Sequence, residues 1–363
     1  MARALELARQ GEALASPNPL VGAVLVKAGR AIGEGFHTYA GVKHGEVLAL
    51  EAAGRRARGA TLYSNLEPCC HTGRTGPCTD ALIAAGIRRV VAAMKDPNPQ
   101  VAGRGLARLR RAGIRVDLGL HEQEAKTLNE SFARWIRTGL PFVTLKTAMT
   151  LDAKIAGPPH SRRKAARASV TWITSEESRA EVQRMRHAAD ALVTGIGTVL
   201  ADDPRLSDRT GLPRRRPLLR VVLDSRLRLP LSCKLVASAA NDVLVFTAAS
   251  LASPKARRLQ GAGVELVKVR GRRPDLREVM RELGRRGITS VLIEPGAELA
   301  RTAPEADVVD KVVMFIAPRV MGAGVGIAPG ELIRTDTGEH HPMTVRRCGP
   351  DLVMEGYLHD VYA

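Results

Sequence analysis

Helical and strand patterns alternate along almost the whole chain, and that alternation restricts it to an α/β architecture. Ala2 to Gln10 has helical periodicity, broken by Ser16-Pro17-Asn18-Pro19, and Gly22 to Lys27 (GAVLVK) reads as a strand. His44 to Ala53 is predicted as a helix stopped by Gly54, a favoured C-terminal residue, and Thr61 to Leu66 as a strand. A Cys-rich loop then leads into a helix over Thr79 to Ala85, stopped by Gly86. Arg89 to Met94, Gly105 to Ala112 and Ile114 to Leu118 give strand, helix, strand, and His121 to Arg137 a longer helix. Gly139-Leu140-Pro141 punctuates the chain and marks the predicted domain boundary. Strand-like runs follow at Phe142 to Ala148, Ala191 to Val193, Leu219 to Leu223, Asp242 to Phe246, Val264 to Val267, Ile288 to Ile293 and Val312 to Ile316. Helical patterns sit between several of them, notably Glu176 to His187 and Leu276 to Arg286.

A length of 363 residues fits two domains, 1–140 and 141–363, each able to bury its own core. The apolar run Val308 to Pro318 is interrupted by Asp310 and Lys311 and falls short of the ~18 residues of a membrane span, which excludes an integral membrane protein. Arg3, Glu6 and Arg9 leave no signal-peptide core at the start, so a cytoplasmic protein is expected. Five cysteines are too few for a disulfide framework. Cys69, Cys70 and Cys78 are close enough together to point to metal chemistry, while Cys233 and Cys348 read as packed thiols.

The formal charge of +18 fits nucleic acid or small anionic ligands equally well. Two Trp, four Tyr and five Phe leave little material for base-stacking platforms. The arginines are dispersed, except at Ser161 to Ser169, which reads as an exposed basic loop, and at Arg214 to Arg216.

His44-Gly45-Glu46 opens one predicted helix, Pro68-Cys69 follows a strand, and Cys78 precedes another helix. Two thiolates and one imidazole suit Zn²⁺ in a tetrahedral site that keeps one position for water, which the metal acidifies to a pKa of about 7. A carboxylate two residues beyond the His can move the proton without binding the metal. This is the pattern of zinc-dependent base deaminases, H-x-E then P-C-x-x-C. Helix N-termini further favour thiolate ligands. A closed structural site would need a fourth ligand, which Cys70 or His71 could supply, but it gives Glu46 and Pro68 no role.

The second spacing is wider than C-x-x-C: Glu67-Pro68-Cys69-Cys70-His71-Thr72-Gly73-Arg74-Thr75-Gly76-Pro77-Cys78. In this it resembles the bifunctional deaminase/reductase family of riboflavin biosynthesis, with its E-P-C-x-H-x-G-x-T-x-P-C signature. The segments from Ser16 to Gly22 and from Asp96 to Gly105 are similar to that family as well. The resemblance implies one zinc per chain on His44, Cys69 and Cys78, with Glu46 as catalytic proton shuttle. It places Asn18 and His71, with Arg74 and Thr75, on the phosphoribosyl pyrimidine substrate. The family usually has His-Ala-Glu where this chain has Gly45, a change of small cost in a first helical turn.

No G-x-G-x-x-G opens a helix after a strand, so a Rossmann reading has little support. The resemblance continues through Leu145 to Ala156, Trp172 to Ser175, Gly195 to Leu206, Val221 to Ser225 and Ile293 to Ala300, and spans nearly the whole chain. It implies a cytidine-deaminase-like three-layer sandwich followed by a dihydrofolate-reductase-like domain that uses NADPH. On that basis Ala148, Trp172, Thr198, Asp202, Ser225 and Gly296 line the cofactor, and Arg186, Leu206, Arg209 and Glu294 face the substrate. Arginine forks suit a phosphate monoester, and a helix beginning near Gly296 offers free N–H groups to a pyrophosphate. The family commonly has Ser where Val170 stands, and Pro295 replaces a common Gly or Ala.

The expected function is zinc-dependent hydrolytic deamination of 2,5-diamino-6-(5-phosphoribosylamino)pyrimidin-4-one, then reduction of its ribosyl group to ribityl. The expected partner is this small molecule, with no nucleic acid and no membrane. Relatives of the fold often assemble, so a homo-oligomer is compatible with it. Two rival readings are a nucleic-acid base deaminase with a basic accessory domain, motivated by the charge, and a deaminase whose second domain is not catalytic, motivated by Val170.

Overall fold

A computed structural model describes residues 1–157, 172–327 and 343–363. The chain forms two compact units, one of Met1–Leu140 with Pro213–Arg216 and Tyr362, the other of Pro141–Leu212 with Pro217–Val361 and Ala363. The basic segment Ser161 to Ser169 and Val170 lie outside the described residues. Among the described residues no helix is long and apolar enough to cross a membrane.

The first unit runs α1 (Ala2–Arg9), β1 (Gly22–Lys27), β2 (Arg30–Phe36), α2 (Gly45–Ala53), β3 (Thr61–Leu66), α3 (Cys78–Ala84), β4 (Arg89–Met94), α4 (Arg104–Arg111), β5 (Arg115–Leu118) and α5 (Glu122–Thr138). Its sheet has the order β2-β1-β3-β4-β5, antiparallel through β1 and parallel from β3 to β5. Strand side chains alternate between faces. Ala23 and Leu25 pack with Ala49, Ala53, Leu82 and Leu109 of α2, α3 and α4, whereas Val24 packs with Ala4 and Leu7 of α1. Ala125 of α5 joins Leu5, Ala93 and Met94. Two helical layers therefore enclose the sheet.

Strand β2 is absent from the sequence reading. Its RAIGEGF stretch lacks an apolar run because α2 lies directly on it: a Cβ on Gly33 would meet Ala49 O at 2.2 Å, and one on Gly35 would meet Leu48 Cβ at 2.5 Å. These glycines let the helix that carries His44 and Glu46 sit close to the sheet.

The second unit runs β6 (Phe142–Thr150), β7 (Lys154–Ala156), α6 (Glu176–Ala188), β8 (Ala191–Gly195), α7 (Ile196–Asp202), β9 (Leu219–Leu223), α8 (Lys234–Ala237), β10 (Val243–Thr247), α9 (Pro254–Gly261), β11 (Val264–Lys268), α10 (Leu276–Arg285), β12 (Ser290–Ile293), α11 (Ala297–Glu305), β13 (Lys311–Ala317), β14 (Val325–Gly326), β15 (Thr344–Cys348) and β16 (Asp351–Tyr357). Nine strands form one sheet in the order β11-β10-β9-β8-β12-β6-β13-β16-β15, with β7 and β14 paired separately. Pairing is parallel from β11 to β13 and antiparallel in the last two steps.

The β15–β16 hairpin also escaped the sequence reading, because β15 is an edge strand whose TVRRC stretch is mostly exposed. Buried Asp351 ties the hairpin to α6 by accepting from Ser175 N at 2.7 Å and Ser178 Oγ at 2.6 Å. Cys233 is packed in the core with Leu229 and Leu235. Cys348 is half-buried and donates to Glu181 at 3.2 Å.

Candidate functional site

His44 caps α2, Cys69 follows β3, and Cys78 starts α3. Their ligand atoms all lie within 4.8 Å of one another, and among the described residues they are the set able to hold a metal ion. His44 Nδ1 is 3.2 Å from Cys78 Sγ and 3.4 Å from Cys69 Sγ. The backbone N–H of Cys78 donates to Cys69 Sγ at 3.3 Å. The hydrogen bond from Cys78, and then that from His44, bring the Cys69 thiol down to about 4 against the opposing effect of burial. His44 is held above the ordinary histidine value, chiefly by its bond with Cys69.

Glu46, in the first turn of α2, is only 3% exposed. Burial pushes its carboxyl up to about 7, and its Oε2 has no hydrogen-bond partner. A soft donor set of two thiols and an imidazole fits zinc, and an unpartnered carboxylate oxygen beside it fits a proton carrier. Cys70 and His71 are not part of this cluster, and His71 is exposed in the intervening loop. Asn18 Nδ2 lies 2.9 Å from His37 Nε2, and the His37 ring stands edge-on to that of His44 at 5.1 Å. Arg74 stacks on Tyr39 with its guanidinium 4.3 Å from the ring centre and donates to Tyr39 O at 2.8 Å.

Sequence reasoning gave no role to Glu67, the first residue of the Glu67-Pro68-Cys69 signature. It is buried, and its two oxygens accept from the backbone N–H groups of Asp96 (3.2 Å), Gly103 (2.8 Å), Gly105 (2.8 Å) and Leu106 (3.1 Å). This carboxylate closes the N-terminus of α4 and fixes the strand end that presents Cys69.

In the second unit a cleft of about 1400 Å³ opens at the carboxyl ends of the parallel strands. Ala148, Thr198, Asp202, Ser225 and Gly296 all line it. Gly296 caps the nine-residue helix α11, and a Cβ there would stand 3.1 Å from Thr198 Oγ1. Backbone N–H groups at a helix N-terminus of this kind suit an anionic group such as a pyrophosphate. Trp172 is apart from the lining residues: it is exposed, under the Arg179 guanidinium at 4.9 Å.

Arg186 and Glu294 form a two-pronged pair at 2.6 and 2.7 Å, and Arg186 also donates to Ser207 O at 3.1 Å. Burial raises Glu294, but the charge of Arg186 and its hydrogen bonds win and hold it below the usual carboxylate value. Exposed Arg209 adds to that field. Leu206 packs its side chain into the core, so it has only backbone atoms to offer a ligand.

Lys146 is the residue the sequence reading missed on this side. Burial lowers its pKa, with Glu294 opposing and Arg186 reinforcing the fall, so the three charges form one electrostatic group. Its only signal was a lysine inside the apolar alternation of the Leu145 to Ala156 stretch.

Comparison with known proteins settles the family. The model of the RibD C-terminal domain matches residues 141–354. The chain belongs to the RibD family. The model of the cytidine and deoxycytidylate deaminase zinc-binding region matches residues 1–94. The riboflavin biosynthesis protein RibD of Aquifex aeolicus is 41% identical, over 98% of this chain and 96% of that protein. RibD of Escherichia coli is 40% identical, over 98% and 97%. Among solved structures, the diaminohydroxyphosphoribosylaminopyrimidine deaminase/5-amino-6-(5-phosphoribosylamino)uracil reductase of Thermotoga maritima has a TM-score of 0.82 at 36% identity, covering 98% of this chain and 97% of that one. Acinetobacter baumannii RibD has a TM-score of 0.81 at 35% identity, with the same coverage. This RibD chain is a bifunctional enzyme of riboflavin biosynthesis with deaminase and reductase activities, and the expected fold class, a deaminase-like sandwich followed by a reductase domain, holds.

Proposed function

We propose that residues 1–140 deaminate 2,5-diamino-6-(5-phosphoribosylamino)pyrimidin-4-one and that residues 141–363 reduce the ribosyl group of the product to ribityl with NADPH, in the cytoplasm. The observation that carries the reading is the convergence of His44, Cys69 and Cys78 beside a buried carboxylate oxygen with no partner.

His44 Nδ1, Cys69 Sγ and Cys78 Sγ would hold zinc, which when bound supplies an acidified water and a Lewis acid. Glu46 Oε2 is the atom that carries two protons in turn, one from the attacking water to the ring nitrogen and the other from the resulting hydroxyl to the amine, which departs as ammonia. A carboxyl raised to about 7 by burial gives up and regains a proton with little driving force in either direction near neutral pH. Asn18, supported by His37, orients the pyrimidine, and Arg74 and His71 face its phosphoribosyl arm.

In the second unit NADPH supplies a hydride when bound. The chain's task there is to align ribose C1 with the nicotinamide, using Arg186, Arg209 and Glu294 around the phosphoribosyl group. Lys146, beside that pair, is the candidate proton donor to the opening ring.

The test is to give the purified protein the phosphoribosyl diaminopyrimidine. Ammonia release that depends on zinc, followed by NADPH oxidation, is expected. A zinc-loaded sample that releases no ammonia overturns the deaminase half, and one that binds no NADPH overturns the reductase half.

A further inference from the structure

Between α7 and β9 the chain passes over α6, and three side chains of that helix hold it. Gln183, Arg186 and His187 are spaced i, i+3 and i+4, so they stand on one face. Gln183 Oε1 accepts from Arg209 N at 3.0 Å, Arg186 Nη1 donates to Ser207 O at 3.1 Å, and His187 Nδ1 lies 2.9 Å from Asp208 Oδ2. Ser207, Asp208 and Arg209 are thus each tied to the helix by a different side chain. Leu206 anchors the start of the segment. Its side chain is in the core and its backbone is held at φ +54°, a conformation that a non-glycine residue keeps only where its surroundings fix it.

His187 and Asp208 are the most enclosed contact of this set, with side chains 6% and 8% exposed. An ionised carboxylate only accepts hydrogen bonds, so the imidazole donates through Nδ1. The other oxygen of Asp208 accepts from Thr210 N at 2.9 Å and Thr210 Oγ1 at 2.8 Å, which closes an Asx turn around Arg209. Leu212 N donates in turn to Thr210 Oγ1 at 3.2 Å. Burying a carboxylate is costly unless its lone pairs are met, and both oxygens of Asp208 are engaged in fixing this one turn.

What the turn presents is Arg209, which is exposed. Its charge acts on Glu294, and the charge of Asp208 acts on Arg186, so the turn lies beside the Arg186–Glu294 fork. An arginine has a long flexible stem, and the place and direction in which it leaves the backbone decide what its guanidinium can reach. A small misplacement of a substrate-positioning group is expensive in binding and rate.

We propose that His187 and Asp208 are positioning residues of the reductase, and that together they fix the turn from which Arg209 reaches the phosphate of the substrate. The proposal rests on the reading that Arg209 faces the phosphoribosyl group.

The test is steady-state kinetics of the reductase step in the full-length protein, with the deaminated phosphoribosyl substrate and NADPH. His187→Leu is expected to raise KM for that substrate by about tenfold with kcat little changed, the mark of lost uniform binding. Thr210→Val, which removes only the hydroxyl of the turn, is expected to raise it by a smaller factor. His187→Asn, whose amide can donate from the place of Nδ1, is expected to restore most of the wild-type KM. In an Arg209→Ala background, where KM is already raised, His187→Leu is expected to add almost nothing, because residues that act through one group are not additive. NADPH affinity reports an intact fold in every variant. A wild-type KM in both His187→Leu and Thr210→Val overturns the proposal, and so does a full additive effect on top of Arg209→Ala. If His187→Leu binds no NADPH, Thr210→Val, alone and with Arg209→Ala, decides by the same criteria. A wild-type KM in Arg209→Ala itself overturns the substrate reading of Arg209, and the proposal with it.

Discussion

Arg186 grips Glu294 with two nitrogens, Nε at 2.6 Å and Nη2 at 2.7 Å, and the two side chains are 12% and 18% exposed. A fork pair of this kind is directional, so it sets the angle of the carboxylate as well as its charge. Glu294→Gln keeps the shape, removes one acceptor and takes away the carboxylate charge that Arg186 and Lys146 share, leaving Arg186 the charge of Asp208. The reductase kcat/KM is expected to fall at least tenfold, while ammonia release from the first unit stays unchanged. A variant that reduces substrate normally shows that the pair is only structural.

Glu46→Gln separates proton transfer from metal binding. The amide keeps the size of the side chain next to His44, so zinc content is expected to stay at one per chain. Ammonia release should drop by about a hundredfold or more, the range for loss of a positioned acid–base group. Reduction of the deaminated substrate should persist. Zinc loss from the variant would instead make Glu46 part of the metal site.

Asp96 gives the protein a pH signature. Burial, the largest influence, pushes its carboxyl up to about 7, against a hydrogen bond from Asn98 N that lowers it. The unfolded chain releases this proton near 3.8, so between 3.8 and about 7 the folded state holds a proton that the unfolded state has lost. Folding stability from this group is therefore present at low pH and declines as pH rises across that window, by on the order of 1 kcal/mol per unit. Asp96→Asn should flatten the decline. Urea melts of metal-free wild type and variant at several pH values measure it, and parallel curves would refute it.

Gly45 opens α2, and its surroundings match the smallest residue. A Cβ there would lie 3.0 Å from Val21 O and 3.1 Å from Gly35 O, both backbone atoms that cannot rotate away. Gly45→Ala gains up to about 1 kcal/mol of helix propensity and pays for it with overpacking of about 1–3 kcal/mol. A net loss near 1 kcal/mol is expected in a denaturant melt. A gain would mean that the strand next to α2 yields.

How much of this could be read in the sequence depends on what each residue does for a ligand and what it does for the fold. His44, Glu46, Cys69 and Cys78 were legible because metal chemistry demands those residue types, and their spacing set their separation along two helix starts and a strand end. Strand β2 was not, since the glycines that admit α2 erase the apolar alternation. Leu206 shows the limit of carrying roles over by position: its side chain belongs to the core. Lys146 and Glu67 were hidden for another reason. Their meaning lies in partners distant in sequence, Glu294 for one and the 96–106 backbone for the other.

Glu67 also yields the most demanding packing test. Its oxygens gather four backbone N–H groups, and the chain can come that close only because residue 105 has no side chain: a Cβ on Gly105 would lie 2.2 Å from Pro68 O and 3.0 Å from Glu67 Oε1. Gly105→Ala must push α4 away or displace Pro68, the residue next to Cys69. A destabilisation of about 2 kcal/mol or more is expected, together with weaker zinc retention against a chelator. Glu67→Gln tests the charge without the clash, because its NH₂ turns a donor toward backbone donors. It should lose zinc faster than wild type while reductase activity is unchanged. Wild-type zinc retention in both variants would mean that Cys69 is positioned without help from this carboxylate.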